Sequence, residues 1–301
     1  MAEGEAGVSV VGLNIFPVKS CKAVKVQEIE VDSYGVVGDR RFMVVEQGGR
    51  FVSQRKCPKL VTVTATYVRT GETEFLQLCS PEMETALKIL PKYDGERMHS
   101  SVWESQVDVL DQGDEAADWL SKLLESPTRS YRLVASAESA PDRGYRRLIA
   151  NFPPSLQDKL PPMEVALADS APVSLVSHES LAALNEKLSE HTGNTVTLSR
   201  FRMNIEVAGC SKAYEEDEWL LIKIGSAPFL VYTAAERCKM TCIDQDTGKQ
   251  DKMGPLDILR IYRAPKGPTH SIFGQLLVPL QSGARVRVGD RVEVLERKKY
   301  V

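Results

Sequence analysis

Apolar positions in the first third of the chain come in short runs divided by turn residues. Residues 8–15 are apolar enough for a buried strand. Val24, Val26, Ile29 and Val31 follow, with a slip of phase between Val26 and Ile29 that a bulge would absorb. Asp32-Ser-Tyr-Gly35 reads as a turn. Residues 42–45 and 51–52 flank Gln47-Gly48-Gly49-Arg50 as a hairpin, and residues 60–67 alternate with period two.

Three stretches carry the helical period. Ala116, Trp119, Leu120, Leu123 and Leu124 follow Gly113-Asp114. Leu181, Leu184 and Leu188 follow Ser177 as cap and stop at Gly193. Pro255 opens a helix through Leu256 and Leu259 to Arg263. Strands return over residues 201–207, 219–224 and 229–233, and two alternating runs flank Gly289-Asp290. The Pro- and Ser-rich stretch 136–162 reads as a connection. The pattern therefore predicts a mainly β (α+β) protein with peripheral helices, built from one unit over residues 8–135 and another over 150–296.

Composition narrows the classes. The 301 residues carry 38 Lys and Arg against 41 Asp and Glu, a formal charge of −3, with 43% apolar residues. Such a chain folds, and it has no charge excess calling for nucleic acid. No unbroken apolar stretch is long enough to predict an integral membrane segment. The opening residues show neither a secretory nor a transit pattern, which predicts a cytoplasmic chain. The six cysteines include no C-x-x-C pair, so free thiols are expected rather than a disulfide scaffold or structural zinc. P-loop, G-x-G-x-x-G, G-x-S-x-G and H-E-x-x-H motifs are all missing.

Four stretches carry candidate chemistry. Pro17-Val18-Lys19-Ser20-Cys21-Lys22 follows the first strand; a Lys and a Ser there suit a phosphate, or are solvated turn residues. Gly38-Asp39-Arg40-Arg41-Phe42 puts two arginines at a strand start, where one must face inward to an anion or pair with Asp39 or Glu46. Arg200, Arg202 and Asn204 alternate with Phe201, Met203 and Ile205, a basic face that is solvated or lines an anionic ligand groove. Glu236-Arg237-Cys238 sets a thiol beside a guanidinium at a strand exit. Such a neighbour favours the thiolate, a nucleophile or soft metal ligand, although an anonymous cysteine is more often a small buried hydrophobe. The acidic run 215–218 reads as a solvated loop.

Taken in order, Pro-Val-Lys-Ser-Cys-Lys, Asp-Arg-Arg-Phe, Asp169-Ser170-Ala171-Pro172, Phe-Arg-x-Asn-Ile and Arg-Cys followed by Asp-x-Asp-Thr-Gly resemble the MOSC-domain molybdenum enzymes. The resemblance is to their amidoxime-reducing component group, over nearly the whole chain, and Phe273-Gly274-Gln275 also fits. It implies a β-rich N-terminal MOSC-associated domain, a C-terminal MOSC β-barrel, and a Mo-molybdopterin cofactor between them. Cys238 matches the thiolate that ligates molybdenum. Lys19, Ser20, Arg41, Ser170, Arg202, Asn204, Arg237 and Gln275 match positions around the pterin and its phosphate. The implied activity is reduction of N-hydroxylated compounds, fed by cytochrome b5 and NADH-cytochrome b5 reductase, since the chain has no flavin motif or iron–sulfur cysteine set. An acidic cytochrome would call for a basic mouth, for which Arg237 and Lys239 are candidates. Mitochondrial association is implied in the same way. Glu236, Ala171 and Met203 depart from the group's usual Ser, hydroxyl residue and Pro. The alternatives are a carrier of the cofactor or its sulfur, and an interaction protein with Cys238 in its core.

Overall fold

The structure, a computed structural model, describes residues 7–126, 130–137, 154–157, 160 and 165–298. Most of the expected connection over 136–162 lies outside these residues.

The larger sheet runs in the order β18 (Val292–Arg297), β14 (Trp219–Ile224), β15 (Ala227–Glu236), β16 (Ile272–Pro279), β12 (Val173–Ser177), β13 (Ile205–Ala208), β1 (Ser9–Ile15) and β2 (Val24–Val26). Only the β12–β13 pair is parallel. The sheet curls until Ser9 bridges Arg291, and Gly289 donates its N–H to the carbonyl of Val10 at 2.8 Å. Strand β3 (Glu28–Asp32) pairs with β17 (Arg285–Arg287) and β4 (Gly35–Val36) beside it. Inside lie Val10, Leu13, Val207, Trp219, Phe229, Leu277 and Val286, all buried. Burying a side chain of this size contributes roughly 1.5–3 kcal/mol, which gives the curl its driving force.

The second body joins a sheet β5 (Phe42–Glu46), β11 (Tyr131–Ser136), β10 (Ser105–Asp111), β9 (Arg97–Val102) to a smaller one of β6 (Thr64–Thr70), β7 (Thr73–Cys79) and β8 (Leu87–Ile89). Phe42, Val44, Leu60, Leu76, Leu78 and Leu133 fill the space between them. The helix Asp114–Leu123 lays Ala116, Trp119, Leu120 and Leu123 on that core, as its period predicts. The mainly β expectation with peripheral helices holds. The hydrogen bonding, however, crosses the sequence division near residue 150, because β1 to β4 belong to the sheets of the later unit.

Helix His178–Thr192 is capped as its sequence predicts. Ser177 Oγ accepts from Ser180 N at 3.1 Å, and Gly193 closes the end at φ 72°. Such a cap contributes about 1 kcal/mol. Helix Pro255–Tyr262 also forms, with Asp257 accepting from Gly254 N at 3.0 Å.

Four local expectations are corrected. The phase slip at Gln27 is a break between β2 and β3, which enter different sheets, not a bulge within one strand. Residues 58–62 form a 3-10 turn from Pro58, so the strand begins only at Thr64. Residues 198–201 form another such turn, Arg202 takes left-handed backbone at φ 57°, and β13 starts at Ile205. The basic face over 200–204 is therefore a turn and not one side of a strand. The acidic run is not solvated, since Glu215, Glu216 and Asp217 are buried. Ser177 and Ser180 donate to Glu216, Arg297 and Ser211 to Glu215, and Arg263 and Gln275 to Asp217.

Candidate functional site

A cleft of about 420 Å³ opens where the curled sheet meets the second body. Its walls carry Lys19, Ser20, Ser170, Arg202, Asn204, Arg237 and Cys238, seven of the nine residues singled out in the sequence. Strand β15 delivers the thiol: it ends at Glu236, and Cys238 follows in extended backbone before a 3-10 turn. The carbonyl of Cys238 accepts from Thr241 N at 3.1 Å and from Thr241 Oγ1 at 3.0 Å. The main chain is thus pinned while the side chain lines the cleft.

Arg237 is fixed by carbonyls. Its Nε and Nη2 donate to Phe273 O at 2.8 and 2.6 Å, and Nη1 donates to Phe201 O at 3.2 Å. Nη2 also contacts Met203 Sδ at 2.8 Å. That seat requires Gly274, whose φ is 73° and where a Cβ would stand 2.6 Å from Met203 Cε and 2.8 Å from Leu175 O.

Arg202 donates to Cys21 O at 2.6 Å and to Gln245 Oε1 at 3.2 Å. Among the described residues neither Arg202 nor Arg237 has a carboxylate partner. Burial, then the neighbouring Arg40, pushes against the charged form of Arg202. For Arg237 burial is again the first cause, opposed by Cys238. Asp39 and Asp169 offset this for Arg202, and Asp169 for Arg237, only from beyond ion-pair distance; two desolvated guanidiniums without a carboxylate in contact are costly, and an anion in the cleft relieves that cost.

Lys19 reaches the same space, donating to Leu167 O at 2.9 Å and Asp169 at 2.5 Å. Trp103 Nε1 donates to the same Asp169 oxygen at 2.6 Å. Desolvation works to raise the Asp169 carboxyl, but Lys19 and then Trp103 override it and hold it at about 2.

The structure does not bring Arg41 to the cleft. Arg41 turns away to Asp32, at 2.7 and 3.0 Å, and Arg40 takes the place expected of it. Arg40 pairs with Asp39 and donates to Arg202 O at 3.0 Å. Gln275 is also off the cleft wall: it is fully buried and donates to Asp217 at 2.6 Å. Asn204 lines the cleft, but its amide is engaged by Ser174, Asn14 and Asp39, so it holds the wall rather than offering a free edge. Lys239 is exposed beside Cys238. The sequence reading quoted Arg40 and Asp169 in their motifs without giving either a place in the site, and it passed over Trp103. The backbone marks two of them: of the six non-glycine residues with positive φ among the described residues, Ser20, Arg40, Trp103 and Arg202 line this cleft. Strained backbone gathered in one place points to a working site, and sequence alone does not reveal it.

Fold and site together define a β-rich, two-part protein with a cationic cleft and one thiol at its edge. Residues 7–127 match the MOSC N-terminal beta barrel domain, and residues 162–293 match the MOSC domain. The chain is 33% identical over 288 residues to mitochondrial amidoxime reducing component 2 of Rattus norvegicus, covering 92% of this chain and 80% of that protein. The Bos taurus component 2 is 34% identical over 288 residues, with the same coverage of 92% and 80%. Mitochondrial amidoxime-reducing component 1 of Homo sapiens is 32% identical over 301 residues, covering 95% and 83%. The chain belongs to the MOSC-domain family of amidoxime-reducing components. The family resemblance drawn from the motifs is borne out.

The donor set can be tested against a molybdenum cofactor. Among the described residues no group of three or more His, Cys, Asp and Glu side chains is placed to hold a metal ion. A metal at Cys238 must therefore arrive with ligands of its own. A pterin dithiolene carrying a phosphate would meet that need, and Arg202, Arg237 and Lys19 are the cations that would face the phosphate. The residues present fit the group. No helix among the described residues is long and apolar enough to cross a membrane.

Proposed function

We propose that this protein is a molybdenum-cofactor-dependent reductase of N-hydroxylated compounds, converting amidoximes to amidines and hydroxylamines to amines. The observation that carries the reading is Cys238 at the edge of a cleft in which, among the described residues, two desolvated guanidiniums, Arg202 and Arg237, make no ion pair. The cofactor, when bound, supplies two-electron redox chemistry at a soft metal.

The chain's own residues do the rest. Cys238 supplies the one protein thiolate. Lys19, Ser20, Arg40, Arg202 and Arg237 hold the anionic tail, and Asn204 and Asp39 hold Arg40 in place. The reaction balances as amidoxime plus two electrons and two protons giving amidine and water. The N–O bond breaks, and its oxygen leaves in the water. The electrons come from outside the chain, and cytochrome b5 with its NADH-dependent reductase is the donor pair inferred from kinship. Association with mitochondria is part of the same proposal, since the relatives are named as mitochondrial components.

The test is expression in a host that makes molybdopterin, then elemental analysis and benzamidoxime turnover with the donor pair. One molybdenum per chain and formation of benzamidine are expected. Molybdenum-loaded protein that leaves benzamidoxime unchanged overturns the proposal.

A further inference from the structure

A second cavity, of about 450 Å³, lies against the first. Phe51, Ser53 and Trp103 line both, so the two spaces share a wall. The second is lined by three cations, two hydroxyls and two aromatic rings, and by no acid. Lys56 is paired with Glu46. Arg50 and Arg55 are exposed, and among the described residues neither makes an ion pair. The Arg55 guanidinium instead stacks on Trp103, 4.4 Å from the ring centroid.

Trp103 is held on both sides. Phe51 meets it edge-on with centroids 5.7 Å apart, and Asp169 takes its Nε1–H. It sits at φ 58° in the turn between β9 and β10, so the hairpin sets the ring rigidly at the shared wall. Trp103 is nonetheless 47% exposed, so part of its ring is open to a ligand.

We infer that this outer cavity is an anion subsite of the same active site, and that the preferred substrates are planar N-hydroxylated compounds bearing a carboxylate. The inference deepens the reductase reading and rests on it. Arg50 and Arg55 take the carboxylate, and the Trp103 and Phe51 rings take the flat body that connects it to the inner cleft. The outer space shares Phe51, Ser53 and Trp103 with the cleft, so a ligand seated there is continuous with the inner site, which favours a small molecule reaching into the cleft over the surface of an acidic protein.

The experiment compares benzamidoxime with 4-carboxybenzamidoxime on the holoprotein and on Arg50→Gln/Arg55→Gln, each with cytochrome b5 and with reduced methyl viologen as donor. The native protein should show a KM roughly tenfold lower for the carboxylated substrate, the scale of a charge-assisted contact. The double variant should lose that preference while its KM and kcat for benzamidoxime stay unchanged with either donor. Equal KM values in the native protein overturn the inference. So does a variant that slows both substrates with cytochrome b5 but neither with methyl viologen, because the patch then serves the protein donor. Terephthalate quenching of tryptophan emission reads the subsite without turnover, since Trp119 and Trp219 are buried. Quenching that the double variant loses supports the subsite even if the reductase reading fails; no quenching, or quenching the variant keeps, counts against it.

Discussion

Arg40 donates to the backbone carbonyl of Arg202 at 3.0 Å, so one guanidinium holds the peptide that presents the other. Both guanidinium carbons also lie 4.4 Å from the centroid of the Phe16 ring. Arg202 needs that support, because its left-handed backbone costs about 1–2 kcal/mol outside glycine. Arg40→Ala should therefore lower stability by roughly 1–3 kcal/mol, the usual scale for removing a partly buried polar partner. It should also weaken cofactor retention, while Arg41→Ala should leave retention near the native level. Molybdenum content after dialysis, beside denaturant melts, checks both.

Cys238 and Cys242 separate a ligand from a packing thiol. Cys242 is buried, burial pushes its thiol up, and its sulfur would stand 2.8 Å from a Cβ added at Gly254. Cys242→Ala should cost about 1 kcal/mol through the lost packing and leave molybdenum content unchanged. Cys238→Ala should do the reverse, with native-like melting and no molybdenum. Elemental analysis of the two variants, side by side with their melts, gives the answer.

The Lys19–Asp169 contact predicts an acid transition. The Asp169 carboxyl is held at about 2, below its ordinary 3.8. A depressed carboxyl contributes stability that is complete above the ordinary value and lost as pH falls through the depressed one. Trp103 shares that carboxylate, so its fluorescence should change with a midpoint near 2 and stay flat through 3.8 and above. A midpoint close to 3.8 would show that Lys19 does not grip Asp169 in solution. In Asp169→Asn the transition should vanish.

Glu216 anchors the start of helix His178–Thr192. It accepts from Ser177 Oγ at 2.9 Å, Ser180 Oγ at 2.7 Å and Ser177 N at 3.3 Å, and burial raises its carboxyl. Glu216→Ala leaves Ser177 N and one of the two serine hydroxyls without an acceptor, since the hydroxyls can still bond each other at 2.7 Å, and should destabilise by about 2–4 kcal/mol. A solvated glutamate would lose within about 0.5 kcal/mol. Thermal melts distinguish these.

Gly274→Ala tests the seat of Arg237. The added methyl meets a backbone oxygen and the Met203 methyl, and the positive φ adds strain. A loss of roughly 2–3 kcal/mol is expected, together with weaker cofactor retention. Native stability and retention would show that the neighbours yield without disturbing Arg237.

Features written in neighbouring residues were legible. Ser177, the Leu184 and Leu188 stripe and Gly193 set both ends and the buried face of one helix. Cys238 at a strand exit was legible because an apolar run ends shortly before it. Residues 198–204 were not, since their alternation is real but Arg202 is turned by a contact from Arg40, more than 160 residues away in the chain. The choice between Arg40 and Arg41 depends on where each one's acid lies: Asp39 keeps Arg40 at the cleft, and Asp32, at the end of β3 in another sheet, draws Arg41 away. The acidic run misled because its partners, Ser177, Arg263, Gln275 and Arg297, come from distant segments.

Strand β1 has a consequence for how the molecule can be divided. It covers β13 along one side, and Leu13 pairs with Ile205. A fragment made from the later half alone would expose β13 as a bare edge, a template for pairing with further copies. Cutting the gene where the two domain signatures part should thus yield aggregates, and adding back a peptide spanning residues 7–36 should restore solubility.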